Sequence, residues 1–293
     1  MSITSVRLRE AWNWGGLSAR ELAKRTYAEV ERHELLDRAA ALAYYAMLAL
    51  LPFLSFLLAL GLGGRSWISE QILTMSQQLL APGAAELIEN QIHNMQNASA
   101  VGLLSFSTIV LVYSASGVFT EIMSGTNAAY AVSESRPWWK RQLLAIVLTI
   151  VEAALLIGSL VVIVAWPFVL DYIGLAGVAK TLATVVQWFV VIVAMLATFA
   201  IAYYFGPDIE QEWEWITPGS AIGVLALIVA SLVLRLYLQY GTNYSATYGA
   251  LAGVIMMLLW LYIASLALLV GAEINSVIEH AAPHGRSPGQ AAA

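Results

Sequence analysis

Long apolar stretches alternate with shorter polar ones along most of this chain. Six stretches are long enough, at about 20 residues or more, to cross a bilayer core of about 30 Å as helices. They are 39–62, 101–123, 143–170, 178–205, 219–238 and 249–275. Their apolar positions show no sharp helical stripe, as expected when lipid covers one side and protein the other. The pattern predicts an all-α polytopic membrane protein built as a bundle of six transmembrane helices.

The first 38 residues follow a different pattern, in which basic and acidic side chains are interleaved. Ser18 and Glu21 have the spacing of a capping box, and apolar positions then recur at intervals of three and four. Residues 1–38 are therefore predicted to form a cytoplasmic segment with an amphipathic helix. This helix either lies on the membrane surface, with Trp12 and Trp14 as interfacial anchors, or packs on the rest of the protein.

Two further polar regions flank the spans. The outer loop 63–100 predicts two short amphipathic helices separated at Pro82 and Gly83. Residues 280–293 are rich in Pro, Gly and Ala, which predicts a disordered cytoplasmic tail. The transmembrane domain is then expected to occupy residues 39–279.

Charge is scarce and is distributed unequally. The 293 residues are 60% hydrophobic and only 11% charged, whereas a soluble domain is about one quarter charged. Seven of the 14 Lys and Arg residues precede residue 39, and another three lie between 136 and 141. Only Arg65 and Lys180 flank the opposite side, so both termini are predicted to be cytoplasmic. The chain has no Cys, which excludes disulfides and thiolate metal sites.

Ionisable residues within spans are costly and are candidates for function. Glu152 lies well inside the third span, where it either lines a substrate path or makes a hydrogen bond between helices. Arg235, in the fifth span, either extends to the interface or pairs with an acid or a lipid phosphate. Glu121 and Glu273 lie near the cytoplasmic ends of their spans, within reach of water. Asn275 follows Glu273 in the same polar turn.

Aromatic and helix-bending residues add weaker candidates. An aromatic belt explains the interfacial tyrosines without any substrate, although they are also candidates for a substrate path. These tyrosines are Tyr44, Tyr45, Tyr203 and Tyr204. Pro52 and Pro167 lie within spans and are expected to kink them, which often accompanies a cavity.

Two pairs of glycines, at 219 and 223 and at 249 and 253, have the spacing of closely packed membrane helices. They serve packing either within one chain or between two chains, so the oligomeric state stays open.

Sequence motifs for soluble-enzyme chemistry are absent. The four His residues show no metal-ligand spacing, and there is no phosphate-binding loop and no nucleophile elbow. Basic residues alternate with acids and do not form the stripe that nucleic acid requires. The sequence therefore predicts no catalytic residues, no metal, no cofactor and no nucleic-acid partner.

Three stretches, 37–52, 204–220 and 248–275, resemble the YihY/BrkB family of bacterial inner-membrane proteins. The first contains Ala-Leu-Ala-Tyr-Tyr followed by Leu-Pro, and the second Tyr-Phe-Gly-Pro-Asp and Thr-Pro-Gly-Ser. The third, and the most specific, has Trp-Leu-Tyr in mid-span followed by Gly-Ala-Glu-Ile-Asn. The matched positions are Tyr44, Tyr45, Pro52, Pro207, Pro218, Gly219, Gly249, Trp260, Gly271, Glu273 and Asn275. In this chain Ser220 replaces an Ala of the family pattern.

The resemblance implies a six-span protein of the bacterial inner membrane. Members of the family were once labelled ribonuclease BN, which was later regarded as a mistake, and others carry a virulence-factor name. Some members are associated with envelope lipid phenotypes. These phenotypes suggest transport of lipid or lipid-linked molecules, and the family supplies no catalytic residues.

Two functions of different classes follow. The first is a transporter or flippase that moves a lipid or other amphipathic envelope molecule through a cavity between kinked helices. Glu152, Glu273, Asn275 and the tyrosines would line this path. The alternative is a non-transporting scaffold or assembly factor, whose outer loop 66–98 and acidic inner loop 208–214 contact an envelope protein. A membrane-bound nuclease is disfavoured.

Overall fold

The chain folds into long α-helices. The structure is a computed structural model, and it describes residues 12–62, 100–174, 177–211, 213–240 and 251–282. Within these ranges there are seven α-helices, a short 3₁₀-helix at Trp14–Gly16 and no β-strand. The helices are α1 (Ala19–Arg32), α2 (Leu35–Leu62), α3 (Ala100–Ala129), α4 (Trp138–Tyr172), α5 (Gly177–Phe205), α6 (Pro218–Tyr240) and α7 (Leu251–Ala281). The predicted all-α class is confirmed for this part of the chain.

Within the described residues, four helices are long and apolar enough to cross a membrane. These segments are Trp138–Trp166, Gly177–Phe205, Pro218–Leu238 and Gly253–Ala281. They correspond to the third to sixth predicted spans. The first two predicted spans fall on α2 and α3, many of whose side chains lie outside the described residues. The count of six spans therefore stays a prediction.

Several other sequence-based expectations fall on residues that the structure does not describe. The expected helices of the outer loop 63–100, Gly249 and most of the tail 280–293 lie there. At the start of that tail, α7 continues to Ala281, beyond the predicted end of the last span.

The chain divides into two compact units. One comprises Met1–Leu36, Phe119–Ala226 and Leu266–Ala293, and the other Asp37–Val118 and Leu227–Ser265. Helices α1, α4 and α5 lie wholly in the first unit. Most of the polar contacts described below belong to this first unit.

Local sequence signals set the ends of α1. The Ser18 hydroxyl accepts a hydrogen bond of 3.2 Å from the backbone N–H of Glu21, which is one half of the predicted capping box. The Glu21 carboxylate pairs instead with Arg25 at 2.9 Å, one turn further on. The helix ends at Arg32, and Glu34 adopts a positive φ of 54°. This left-handed residue separates α1 from α2.

The N-terminal segment packs on the last helix. A buried apolar cluster joins Leu22 of α1 to Ile274, Val277 and Ile278 of α7. Trp14 packs against this cluster, whereas Trp12 is exposed. Gly15 has φ +60°, and a Cβ atom there would lie 2.6 Å from the carbonyl oxygen of Ile278. The structure thus packs α1 against α7, and a position of α1 on the membrane surface stays a prediction.

Helices α6 and α7 approach each other backbone to backbone. A Cβ atom on Gly219 would overlap the carbonyl oxygen of Gly271, and one on Gly271 would lie 2.6 Å from the carbonyl oxygen of Gly219. At Gly223 a Cβ atom would lie 2.7 Å from the Phe199 ring. These glycines therefore serve packing within the chain, as small residues do between membrane helices.

Helices α4 and α5 are joined by side chains that bond to the neighbouring backbone. Trp166 Nε1 donates to the carbonyl oxygen of Ala183 at 2.9 Å. Gln187 Nε2 donates in the opposite direction, to the carbonyl oxygen of Ile163 at 3.1 Å. Both contacts satisfy side-chain donors in a region where little water is expected.

In the second unit, several described contacts involve aromatic side chains. Trp260 Nε1 donates to Ser231 Oγ at 3.1 Å, which joins α7 to α6. The rings of Tyr44 and Tyr45 meet edge to face with centroids 5.8 Å apart. A Cβ atom on Gly117 would lie 3.1 Å from the Tyr45 ring, so α3 passes close to this tyrosine.

Replacing Gly219 with Ala is expected to destabilise the protein by about 1–3 kcal/mol, because the new methyl group overlaps the backbone of α7. Thermal unfolding in detergent would measure this. Gly158→Ala in α4 is the control, since a Cβ atom there meets nothing within 4 Å. Ala favours a helix by up to about 1 kcal/mol over Gly, so this control should be neutral or slightly stabilising. Equal losses in both variants would contradict the close approach of α6 and α7.

Candidate functional site

The polar turn of α7 lies beside α1. Glu273 is only 1% exposed, and its Oε2 atom lies 2.9 Å from His33 Nδ1. The other imidazole nitrogen, Nε2, lies 3.6 Å from Oε2 of Glu29. Its position near the end of a span predicts that Glu273 reaches water. In the structure it does not, because the end of α1 covers it.

Asn275, two residues further along α7, holds the beginning of α6. Its Oδ1 accepts from the backbone N–H of Gly219 at 2.8 Å, and its Nδ2 donates to Thr217 Oγ1 at 2.9 Å. Thr217 and Ser220 bond reciprocally to each other's backbone N–H, with Pro218 at the first helical position. These bonds satisfy N–H groups that have no partner within the helix. Asn275 thus fixes α6 on α7, and Ser220 completes a cap that Ala could not make.

The two tyrosines at the end of α5 have different surroundings. Tyr203 is buried, and its hydroxyl donates to the carbonyl oxygen of Leu268 in α7 at 2.8 Å. A side chain on Gly271 would overlap this hydroxyl, so the glycine makes room for the bond. Tyr204 packs edge to face on Trp213, with ring centroids 5.0 Å apart. Neither ring requires a substrate to explain its position.

A network of hydrogen bonds connects the loop after α3 to the loop after α5. Asn127 accepts from the backbone N–H of Asp208 at 2.7 Å and donates to Glu134 at 3.0 Å. The Asp208 carboxylate accepts from the backbone N–H and the hydroxyl of Ser135, at 2.7 and 2.5 Å. Arg136 donates to Glu134 at 2.6 Å through Nε. The network includes one acidic side chain from each loop, Glu134 and Asp208, and buried Pro207 immediately precedes Asp208.

Arg136 also neutralises the end of α5. It donates to the carbonyl oxygens of Phe205 and Gly206 at 3.2 and 2.9 Å, where the helix leaves acceptors without partners. Burial raises the pKa of Glu134, but the hydrogen bonds and charge of Arg136 outweigh it, so this pKa lies below its ordinary value. Burial likewise opposes ionisation of Asp208, yet its bonds from Ser135 and the Arg136 charge lower its pKa.

Glu152 connects α4 to α5. Its Oε2 accepts a hydrogen bond of 2.8 Å from the Thr198 hydroxyl. Its Oε1 is buried, and among the described residues that atom has no hydrogen-bond partner. The carboxyl group therefore makes a contact between helices and keeps one oxygen for another donor, so both alternatives for this residue remain compatible with the geometry.

The remaining candidate residues are spread over the molecule. Arg235 is exposed near the end of α6, and Glu121 is half-buried in α3. Tyr44 and Tyr45, in the second unit, are exposed. Within the first unit, the structure brings Tyr203, Glu273 and Asn275 together along α7, but Glu152 contacts Thr198 instead.

Several contacts of the candidate site were not predicted from the sequence. The four-residue spacing of Glu29 and His33 was a usable signal, since it places both on one face of a helix. Asn127, Arg136 and Asp208 offered no such signal, because they meet across 81 and 72 residues of chain.

In the part of the chain that the structure describes, the apolar helices and their internal polar contacts define a helical integral membrane protein. The family model described as "Virulence factor BrkB" matches residues 26–293. The chain belongs to this family, which confirms the resemblance seen in the three sequence stretches.

A curated relative covers nearly the same length. The chain is 28% identical over 259 residues to the "Putative ribonuclease-like protein YfkH" of Bacillus subtilis (strain 168). This match spans 87% of the chain and 94% of the relative. No solved structure matches the chain significantly.

The loop network should make stability depend on pH. The lowered pKa values of Glu134 and Asp208 stabilise the fold above the ordinary carboxyl range, and this contribution is lost as pH falls below about 4. Asp208→Asn should lower the free energy of unfolding by about 1.5–3 kcal/mol at pH 7, the range for hydrogen bonds to charged groups. Thermal unfolding in detergent between pH 7 and pH 3 would measure the stability of Asp208→Asn and of the wild type. The difference in stability between the two proteins should become smaller as pH falls. A difference that stays constant would exclude a charge-dependent role.

Proposed function

We propose that this BrkB-family membrane protein is a transporter or flippase for a lipid or another amphipathic envelope molecule. The supporting observation is Glu152, whose carboxyl lies inside a membrane-spanning helix with one buried oxygen that lacks a described partner. Polar atoms in such a position are costly unless they are used. A substrate with a polar headgroup would supply the missing donor.

The surroundings of Glu152 fit an amphipathic substrate. Helices α4 and α5 expose large apolar side chains along their length, including Leu156, Leu160, Val164, Phe189 and Val193. Such faces suit acyl chains, because both are apolar. The headgroup would contact the carboxyl while the chains stay in lipid.

The other candidate positions have more complete partners. Tyr203 and Asn275 each bond to another helix. We propose that they hold α5, α6 and α7 in place while Glu152 contacts the substrate. Substitutions at Tyr203 and Asn275 would then act mainly through stability.

The alternative is a scaffold for envelope assembly. Its proposed contact surfaces are the outer loop 66–98, which lies outside the described residues, and the acidic loop 208–214. Asp208 is turned inward onto Ser135, whereas Glu210 and Trp215 are exposed. A partner would therefore contact the distal part of this loop.

Glu152→Gln is expected to slow lipid translocation at least about tenfold, while keeping an acceptor for Thr198 and hence the fold. A tenfold loss corresponds to about 1.4 kcal/mol of the barrier. Proteoliposomes with fluorescent phospholipids in both leaflets, quenched by dithionite, would measure the protected fraction over time. The assay would be repeated with several headgroups and with a pH gradient.

Gln187→Met is the matched control for this assay. It removes an interhelical hydrogen bond from the same pair of helices without touching the carboxyl, so translocation should persist. Equal slowing in both variants would assign Glu152 to packing. If the wild type moved no lipid under any condition, the scaffold would become the better explanation.

We also propose that the protein is not a nuclease, although its relative is named ribonuclease-like. Purified protein free of contaminating nuclease should leave RNA intact with Mg²⁺, Mn²⁺ or Zn²⁺, because no basic stripe is present to bind it. Cleavage in gel assays that co-purifies with the protein and disappears with Glu152→Gln would reverse this proposal.

A further inference from the structure

Three side chains that carry metal-ligand atoms converge where α1 meets α7. Glu29, His33 and Glu273 each offer one ligand atom, and these atoms all lie within 4.8 Å of one another. Glu29 lies in the last turn of α1, and His33, four residues further on, caps the end of this helix. Glu273 comes from α7. The sequence does not predict this cluster, because 240 residues separate His33 from Glu273.

We propose that Glu29, His33 and Glu273 bind a divalent transition-metal cation of the Zn²⁺ or Mn²⁺ class, which fastens α1 to α7. One imidazole and two carboxylates form a donor set that such cations accept. Water would complete the coordination on the exposed side of Glu29.

The distances are compatible with a shared cation. Two ligands at about 2.1 Å from a tetrahedral metal are separated by about 3.4 Å. His33 Nδ1 and Glu273 Oε2 are 2.9 Å apart. A small increase in this distance would make room for the ion between the two atoms. Glu29 is about one-third exposed, and its carboxylate can rotate toward the same point. The buried Glu273 supplies the fixed ligand.

Charge balance favours a cation over the imidazole alone. The two carboxylates share the His33 imidazole, which carries at most one positive charge. His280 also interacts electrostatically with Glu29, but its ring contacts Ser276 and is not one of the three ligand groups. Arg32 approaches Glu29 at 3.5 Å, but its side chain is 75% exposed, so this pair contributes little. A buried carboxylate is costly unless its charge is balanced nearby. A divalent cation balances both carboxylates at the point where they converge.

The location gives the site a structural consequence. Leu22 anchors the early part of α1 on Ile274, Val277 and Ile278. The three ligands lie at the opposite end of α1, immediately before the left-handed Glu34. Bound metal would thus hold the last turn of α1 against the final span.

The test uses the full-length protein in detergent, without a polyhistidine tag and after removal of metal with EDTA. Elemental analysis after re-addition of Zn²⁺ or Mn²⁺ should give about one ion per chain, together with a higher unfolding temperature. Glu29→Gln should weaken binding at least about tenfold, because even groups that only support a ligand cost this much. It leaves the His33–Glu273 contact in place, so a general loss of folding is not expected.

Glu31→Gln is the matched control, since this exposed residue of the same helix bonds to Tyr27 and not to the cluster. It should bind metal like the wild type. Co²⁺ substitution gives a second readout, and its visible spectrum should show nitrogen and oxygen ligands that His33→Gln alters. Retention of metal equally by all variants, or no retained metal and no thermal shift in the wild type, would reduce the cluster to a hydrogen-bonded ion pair.

Discussion

Polar groups inside a membrane protein have little water to bond with, and this constraint governs the arrangement of the described helices. In the first unit, polar side chains meet this constraint by bonding to the backbone of a neighbouring helix. Tyr203 bonds to a carbonyl of α7, Asn275 to an N–H of α6, and Gln187 to a carbonyl of α4. Each of these bonds joins two helices. The same contacts therefore satisfy the polar groups and hold the helices together.

Close backbone approach makes these bonds reachable. Gly219 and Gly271 face each other without side chains, and the space over Gly271 is taken by the hydroxyl of Tyr203. Asn275 then reaches the beginning of α6 because α6 lies so close. The glycines and the polar residues of the family motif therefore act together. A larger residue at either glycine would also break the hydrogen bonds of Tyr203 or Asn275.

Two places in the described part of the chain carry the functional proposals. Glu152 keeps one buried oxygen without a described partner, and Glu29, His33 and Glu273 bring two carboxylates to one imidazole. The first lies between α4 and α5 and the second between α1 and α7. This separation is consistent with a division between a position that contacts a substrate and one that fastens the N-terminal helix.

The sequence by itself determined the helical class and four of the membrane spans, since apolar length alone decides whether a helix suits a bilayer. It also indicated the Ser18 cap and the packing role of Gly219, because both depend on local spacing. Only the tertiary structure decided that His33 meets Glu273 and that Asn127 meets Asp208. Those contacts depend on which faces of distant helices pack together, and the weak helical periodicity of apolar spans leaves those faces undefined until the helices have assembled.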